Sequence, residues 1–180
     1  MPEAELIARV LAGDMIAARQ LYDAHVGAVH RLALRMTADE QLARDAAQDA
    51  FVRVFRGLRE FRRDAALSTW IHQIAVSCTL NAIRGRKRQR DRFTDMEAAD
   101  HVPTRRESEP DLREQLYAAI DALPEIYRSV FVLHEIEGHN HEDIGNLLGI
   151  PQGTSKARLH EARARLRHAL KAFEGEWASA

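Results

Sequence analysis

The spacing of apolar residues constrains this chain most: they recur every three or four positions almost throughout, and nowhere alternate as a half-buried strand would. Leu21, Val29, Leu32 and Met36 share one helical face behind a candidate N-cap at Asp14. Ala47, Phe51, Val54 and Leu58 share a second, and Leu67, Ile71, Ile74 and Cys78 a third. Helices of this kind bury their apolar faces against one another, so the expected fold class is all-α. The period fails once, between about Gln89 and Pro110, where Pro103, Ser108, Pro110 and mixed charges replace it. Beyond that break Leu112, Leu116, Ala119 and Leu123 mark another helix. Pro124 suits the first turn of the next, which Ile126, Val130, Leu133 and Ile136 continue. The expectation is an N-terminal helical bundle over residues 1–88, a flexible linker over 89–111 and a second helical domain over 112–180.

With 180 residues, 46% of them hydrophobic, the chain can build one ordinary core or two small ones, and is too short for a multi-domain enzyme. Its one cysteine, Cys78, excludes an internal disulfide and any two-cysteine zinc site, and suits a reducing compartment. No apolar run approaches the roughly eighteen residues of a membrane span, and the acidic start at Glu3 and Glu5 is unlike a signal peptide. A cytoplasmic location without membrane insertion is expected.

The formal net charge of −1 hides a pattern. Residues 51–92 carry eleven cations against three anions, and residues 153–180 six against three. The segments 1–50, 93–126 and 127–152 are net acidic. A basic block is often only a solvated face; two of them, separated by acidic stretches, also fit two phosphate-contacting surfaces.

The C-terminal block has internal structure. Asn140 is a candidate N-cap, Ile144, Leu147 and Leu148 form a short apolar face, and Gly149 suits a left-handed C-cap. After Pro151 and Gly153, Thr154 can cap a longer helix with Leu159, Ala162, Leu166, Ala169 and Phe173 on one side. This is a helix-turn-helix pattern, whose second helix would bring Lys156, Arg158 and Arg163 toward the major groove. A plain helical hairpin with a basic face is the alternative.

The N-terminal block interleaves Phe51, Phe55, Phe61 and Trp70 with Arg53, Arg56, Arg59, Arg62 and Arg63. Aromatics among cations can stack unpaired bases, yet Phe51, Phe55 and Trp70 fall on apolar faces and read as core. The connector from Glu60 to Ser68 offers Phe61, Arg62, Arg63 and Asp64 for a splayed-out base. The Asn81 amide can donate to and accept from a base edge, a reading as open here as a plain surface residue. The following helix end supplies Arg84, Arg86, Lys87 and Arg88.

HEIEGHNHED, from His134 to Asp143, invites a zinc reading, but His134 and His139 are five apart, about 140° around a helix, where an HExxH site needs four. Cys78 lies on an apolar face and reads as core rather than as a nucleophile. No serine, histidine and carboxylate arrangement and no phosphate-binding glycine loop stands out. No enzyme activity, cofactor or metal is expected.

Together the parts resemble an extracytoplasmic-function (ECF) RNA polymerase sigma factor, from about Asp14 to Leu170, with two independent motifs in the family's order. The resemblance implies that region 2 docks on the β′ clamp helices of core polymerase and opens and reads the −10 promoter element. Region 4 would read the −35 element and touch the β flap, and an anti-sigma factor would be a further partner. Carried over, RDAAQDAF at Arg44 to Phe51 corresponds to the clamp-binding stretch often written EDLVQETF. Asp45, Gln48, Asp49 and Phe51 match it; Arg44, Ala46, Ala47 and Ala50 depart, which implies a trimmed docking surface. Phe61 to Thr69 corresponds to the loop that captures a flipped −10 base, and Asn81 to a position at the −10 edge. The recognition-helix pattern GTxxSRLxRAR becomes GTSKARLHEAR, giving Thr154, Lys156, Ala157, Arg158, His160, Glu161 and Arg163 as the −35 set. Glu161 stands where an arginine is common, so an altered or weaker −35 contribution is implied. The alternatives are a stand-alone helix-turn-helix regulator and a helical metalloenzyme built on the histidine cluster.

Overall fold

The computed structural model describes residues 2–92 and 112–177. The chain divides into two compact units, Met1–Asp95 and Met96–Ala180. Among the described residues every regular element is helical.

The first unit contains α1 (Glu3–Leu11), α2 (Met15–Thr37), α3 (Glu40–Gly57), a 3₁₀ turn (Leu58–Glu60) and α4 (Leu67–Arg92). Asp14 starts α2 as expected, its carboxylate accepting from the amides of Ile16 and Ala17 at 2.9 and 3.1 Å. Asp39 does the same for α3 through Leu42 N at 2.9 Å. Leu21, Val29, Leu32 and Met36 pack on Val54, Leu58, Leu67 and Ile71 in the core. Ala43, Ala46, Ala47 and Ala50 are buried along α3. Small side chains there let α3 lie close to α2 and α4, with Ala33, Ala43 and Ala46 forming a tight cluster backed by Leu34 and Ala82. This corrects the expectation that Ala46, Ala47 and Ala50 trim a docking surface: they set helix spacing inside the bundle. Helix α4 runs on to Arg92, so residues 89–92 prolong a helix where a linker was expected. The rest of the expected linker lies outside the described residues.

The second unit contains α5 (Leu112–Asp121), α6 (Glu125–Phe131), a π-helical turn (Val132–Ile136), α7 (His141–Leu148) and α8 (Gln152–Trp177). Ile120, Leu123, Val130, Val132, Leu133, Ile144, Leu159, Ala162 and Leu166 form its core. Leu116 and Ile126 are exposed, because α5 and α6 turn Ile120 and Val130 inward instead. Phe173 lies among side chains outside the described set. Asn140 caps α7, accepting from Glu142 N and Asp143 N at 2.9 Å each, and Gly149 ends it at φ +67°. Helix α8 starts at Gln152, with Pro151 O accepting from Ser155 N at 3.1 Å. Thr154 therefore sits inside the first turn rather than capping it; the proline ahead of it already fixes the helical start.

Gly145 holds the two helices of the motif together. A Cβ there would come within 2.8 Å of Ile150 O, so the turn closes only around a glycine. Buried Ser155 adds a polar tie, its hydroxyl 2.9 Å from His141 Nδ1.

Candidate nucleic-acid interfaces

Helix α3 presents Asp45, Gln48 and Asp49 on one exposed face. Val52, one turn further and 41% exposed, completes that face and was missed in the sequence. Its signal is a valine at a solvent position of the heptad. Phe51 is not on this face. It is 4% exposed and packs against the Tyr22 ring with centroids 4.6 Å apart and against Phe55 at 6.3 Å. This corrects its expected docking role: the fold uses it to support the helix from below. Arg44 pairs with Glu40 at 2.9 Å on the surface.

The connector before α4 is exposed from Arg62 to Ala66, with Phe61 half-buried against Trp70 at 5.0 Å between ring centroids. A Cβ on Gly57 would come within 3.3 Å of the Trp70 ring, so a glycine makes room for the indole. Trp70 remains partly exposed, which places two aromatic faces beside Arg62, Arg63 and Asp64. Arg63 adopts φ +61°, a left-handed conformation that costs an ordinary residue about 1–2 kcal/mol. Arg63→Gly is therefore expected to be about 1 kcal/mol more stable than Arg63→Ala, since both lose the cation and only alanine keeps the strain. Thermal melting of the two variants measures the difference, and equal stabilities would show that the backbone there is relaxed.

On α4, Asn81, Arg84 and Arg88 line one exposed row with Gln73 and half-exposed Ser77 upstream. Gln73 and Ser77 were missed because neither is charged; the signal is their i, i+4 spacing to Asn81. Lys87 is exposed beside the row. Arg86 points the other way, following buried Ala75, Thr79 and Ile83, and donates to Asp39 Oδ2 at 3.1 Å. This corrects its placement with the outward cations. Cys78 is 3% exposed, and burial pushes its thiol pKa up.

In the second unit Lys156, Ala157 and His160 are exposed on the first turns of α8, with Arg158 and Thr154 half-buried. Lys156, His160, Arg163, Arg167 and Lys171 make a stripe at three- and four-residue spacing, of which Arg167 and Lys171 were not singled out in the sequence. Arg163 is engaged: it donates to Glu135, which the π-helical turn carries. That contact draws the Glu135 carboxyl below its usual range. His134 and His141 stack at 4.6 Å beside it. Desolvation, then the neighbouring His134, Lys156 and Arg163, hold the His141 imidazole below its ordinary pKa. Glu161 does not stand as a bare anion in front of the helix. Its Oε1 accepts from Arg165 Nε at 2.7 Å, and the Arg165 guanidinium lies 4.9 Å from the centre of the Tyr127 ring. Ala119, Ala122, Leu123, Pro124 and Ala164 line an adjoining groove of about 440 Å³.

Two helical units, one with a cationic row beside an aromatic loop and one with a basic helix-turn-helix, define a DNA-binding transcription protein. The sigma-70 region 2 family matches residues 21–89, and the sigma-70 region 4 family matches residues 113–166. The ECF RNA polymerase sigma factor SigM of Mycobacterium tuberculosis is 34% identical over 93% of this chain and 84% of its own length. The ECF RNA polymerase sigma factor SigE of Mycolicibacterium smegmatis is 33% identical over 88% of this chain, which spans 63% of that longer protein. A solved structure of the sigma factor RpoE in complex with the anti-sigma factor NepR from Bartonella quintana is similar in fold. Its TM-score is 0.60 at 22% identity, covering 85% of this chain and 96% of that one. This chain belongs to the ECF RNA polymerase sigma factors: it is an alternative sigma factor, with core polymerase and promoter DNA as partners.

Proposed function

We propose that the two units divide promoter recognition between them, the first taking core polymerase and the −10 element and the second the −35 element. The observation that carries this reading is the outward row Asn81, Arg84 and Arg88 beside the exposed Phe61 to Asp64 loop and Trp70. Cations along one helix face hold a phosphate backbone while the partly exposed aromatics receive unstacked bases. Asp45, Gln48, Asp49 and Val52 supply the polymerase-docking face of α3. Lys156, Ala157 and His160 face the −35 duplex, with Arg167 and Lys171 toward its phosphates. The apolar groove beside Leu123 and Pro124 takes the β flap. Residues 93–111 link the units. The polymerase supplies the catalysis, the chain itself works in the cytoplasm without a cofactor, and an anti-sigma factor controls it, in keeping with the anti-sigma complex of its structural neighbour.

Run-off transcription with core polymerase, this chain and a genomic promoter library tests the reading. Discrete start sites that require both −10 and −35 sequences are expected; their absence with folded protein would sink it. The geometry of Glu161 adds a narrower expectation. Glu161→Arg removes the partner of Arg165 and adds a cation, so −35 duplex binding should tighten and its salt dependence steepen by about one phosphate contact. An unchanged salt slope would place both side chains away from DNA.

A further inference from the structure

We infer that Asp39 is a positioning residue for −10 recognition: by holding Arg86 against the bundle, it fixes the direction in which Asn81, Arg84 and Arg88 point. The inference rests on the proposed role of that outer row of α4. Arg86 lies 47 residues along the chain from Asp39, and its Nη1 donates to Asp39 Oδ2 at 3.1 Å. The two side chains are 23% and 25% exposed. The other oxygen of the same carboxylate caps α3 through Leu42 N at 2.9 Å. One side chain thus starts one helix and restrains the far end of another.

The post that carries Asp39 is rigidly built. Buried Thr37 donates its hydroxyl to Ala33 O at 2.8 Å and to Asp39 O at 3.1 Å, and the same hydroxyl accepts from Asp39 N at 3.2 Å. Ala38 between them turns the chain at φ +51°. On α4, Ile83 is the last buried apolar side chain among the described residues, and Arg84, Lys87, Arg88 and Gln89 beyond it are exposed. Arg86 follows Ile83 by three positions on the bundle side, opposite Asn81, Arg84 and Arg88. A helix end without apolar burial keeps its azimuth only through polar contacts, and a charge-assisted hydrogen bond at Arg86 supplies one where the row needs it.

The test is a double-mutant cycle in holoenzyme made from the full chain and core polymerase. Its DNA probe is a duplex promoter fragment that the wild-type holoenzyme transcribes. Asp39→Asn keeps a side-chain oxygen to cap α3, asparagine being as good an N-cap as aspartate, and removes the charge that holds Arg86. Arg86→Met removes the other partner. Each single variant is expected to lower promoter affinity about tenfold, and the double variant no further, because both break one interaction. Salt dependence should stay unchanged, since no phosphate contact is lost. Core affinity and melting temperature should stay near wild type, and Arg86→Lys should recover most of the affinity lost in Arg86→Met.

Unchanged or tighter promoter binding by Asp39→Asn would overturn the inference. So would an Arg86→Met variant that flattens the salt slope while Asp39→Asn does not, because Arg86 would then be a phosphate contact. A fall in promoter affinity that merely follows a fall in melting temperature would make Asp39 a folding residue and overturn it equally. If the wild-type holoenzyme proves indifferent to −10 base changes, the proposed role of α4 fails, a result separate from any of these.

Discussion

Phe51→Ala is expected to destabilise the first unit by about 3–5 kcal/mol, enough to unfold a marginal helical bundle at physiological temperature. The ring is 4% exposed and packed on Tyr22 and Phe55, so its removal leaves a cavity that the alanine-lined face of α3 has few large side chains to fill. Asp49→Ala, two residues away on the exposed face, is expected to leave the melting temperature unchanged and to weaken core polymerase binding by about tenfold. Melting followed by circular dichroism, with core affinity measured alongside, separates the two. A stable Phe51→Ala protein with selectively lost core binding would show that the ring reaches the polymerase after all.

Arg128→Ala is expected to cost the second unit about 3 kcal/mol or more. Arg128 is 6% exposed, and its Nη1 donates to Asp121 O at 2.7 Å and to Leu123 O at 3.0 Å, closing the free carbonyls at the end of α5. Hydrogen bonds from a charged donor contribute roughly 1.5–3 kcal/mol each, and alanine leaves both acceptors buried without this partner. The corner between α5 and α6 rests on this contact, and with it the Leu123 and Pro124 side of the groove against α8. Binding of −35 duplex by the full chain should fall with the stability of this unit, while a loss below about 1 kcal/mol would mean that water replaces the guanidinium cheaply. Asp121 itself has the opposite sign. Burial raises its carboxyl pKa against the pull of Arg128, so its contribution is fully present below the ordinary carboxyl range and is lost as pH rises through the raised value. Asp121→Asn should remove that slope.

Much of this protein was legible in its sequence. Helix starts at Asp14 and Asn140, the left-handed stop at Gly149 and the onset of α4 at Leu67 all follow from side chains acting on the backbone within a turn or two. Those interactions are local, so a linear string carries them. The two-part family pattern is equally local, each motif lying within a single continuous stretch. The docking face of α3 was half legible: the spacing of Asp45, Gln48 and Asp49 put them together, but Phe51 belonged both to the matched motif and to an apolar face, and the string could not rank the two.

What the sequence by itself determined is therefore the helices, their two groups and the family. Only the tertiary structure decided which side of each helix is covered. Periodicity says that Ala46, Ala47 and Ala50 cluster on α3, whereas packing shows them inside it. Composition groups Arg84, Arg86, Lys87 and Arg88 as one basic run, while the fold turns Arg86 inward to Asp39 and leaves the others in solvent. Glu161 looked like an anion facing DNA until its neighbour one turn on, Arg165, was seen to hold it beside the Tyr127 ring. The physical reason is common to all three. A side chain's neighbours along the chain fix its backbone conformation, but its charge partner and its burial depend on elements brought against it from elsewhere in the chain, and those appear only when the bundle closes.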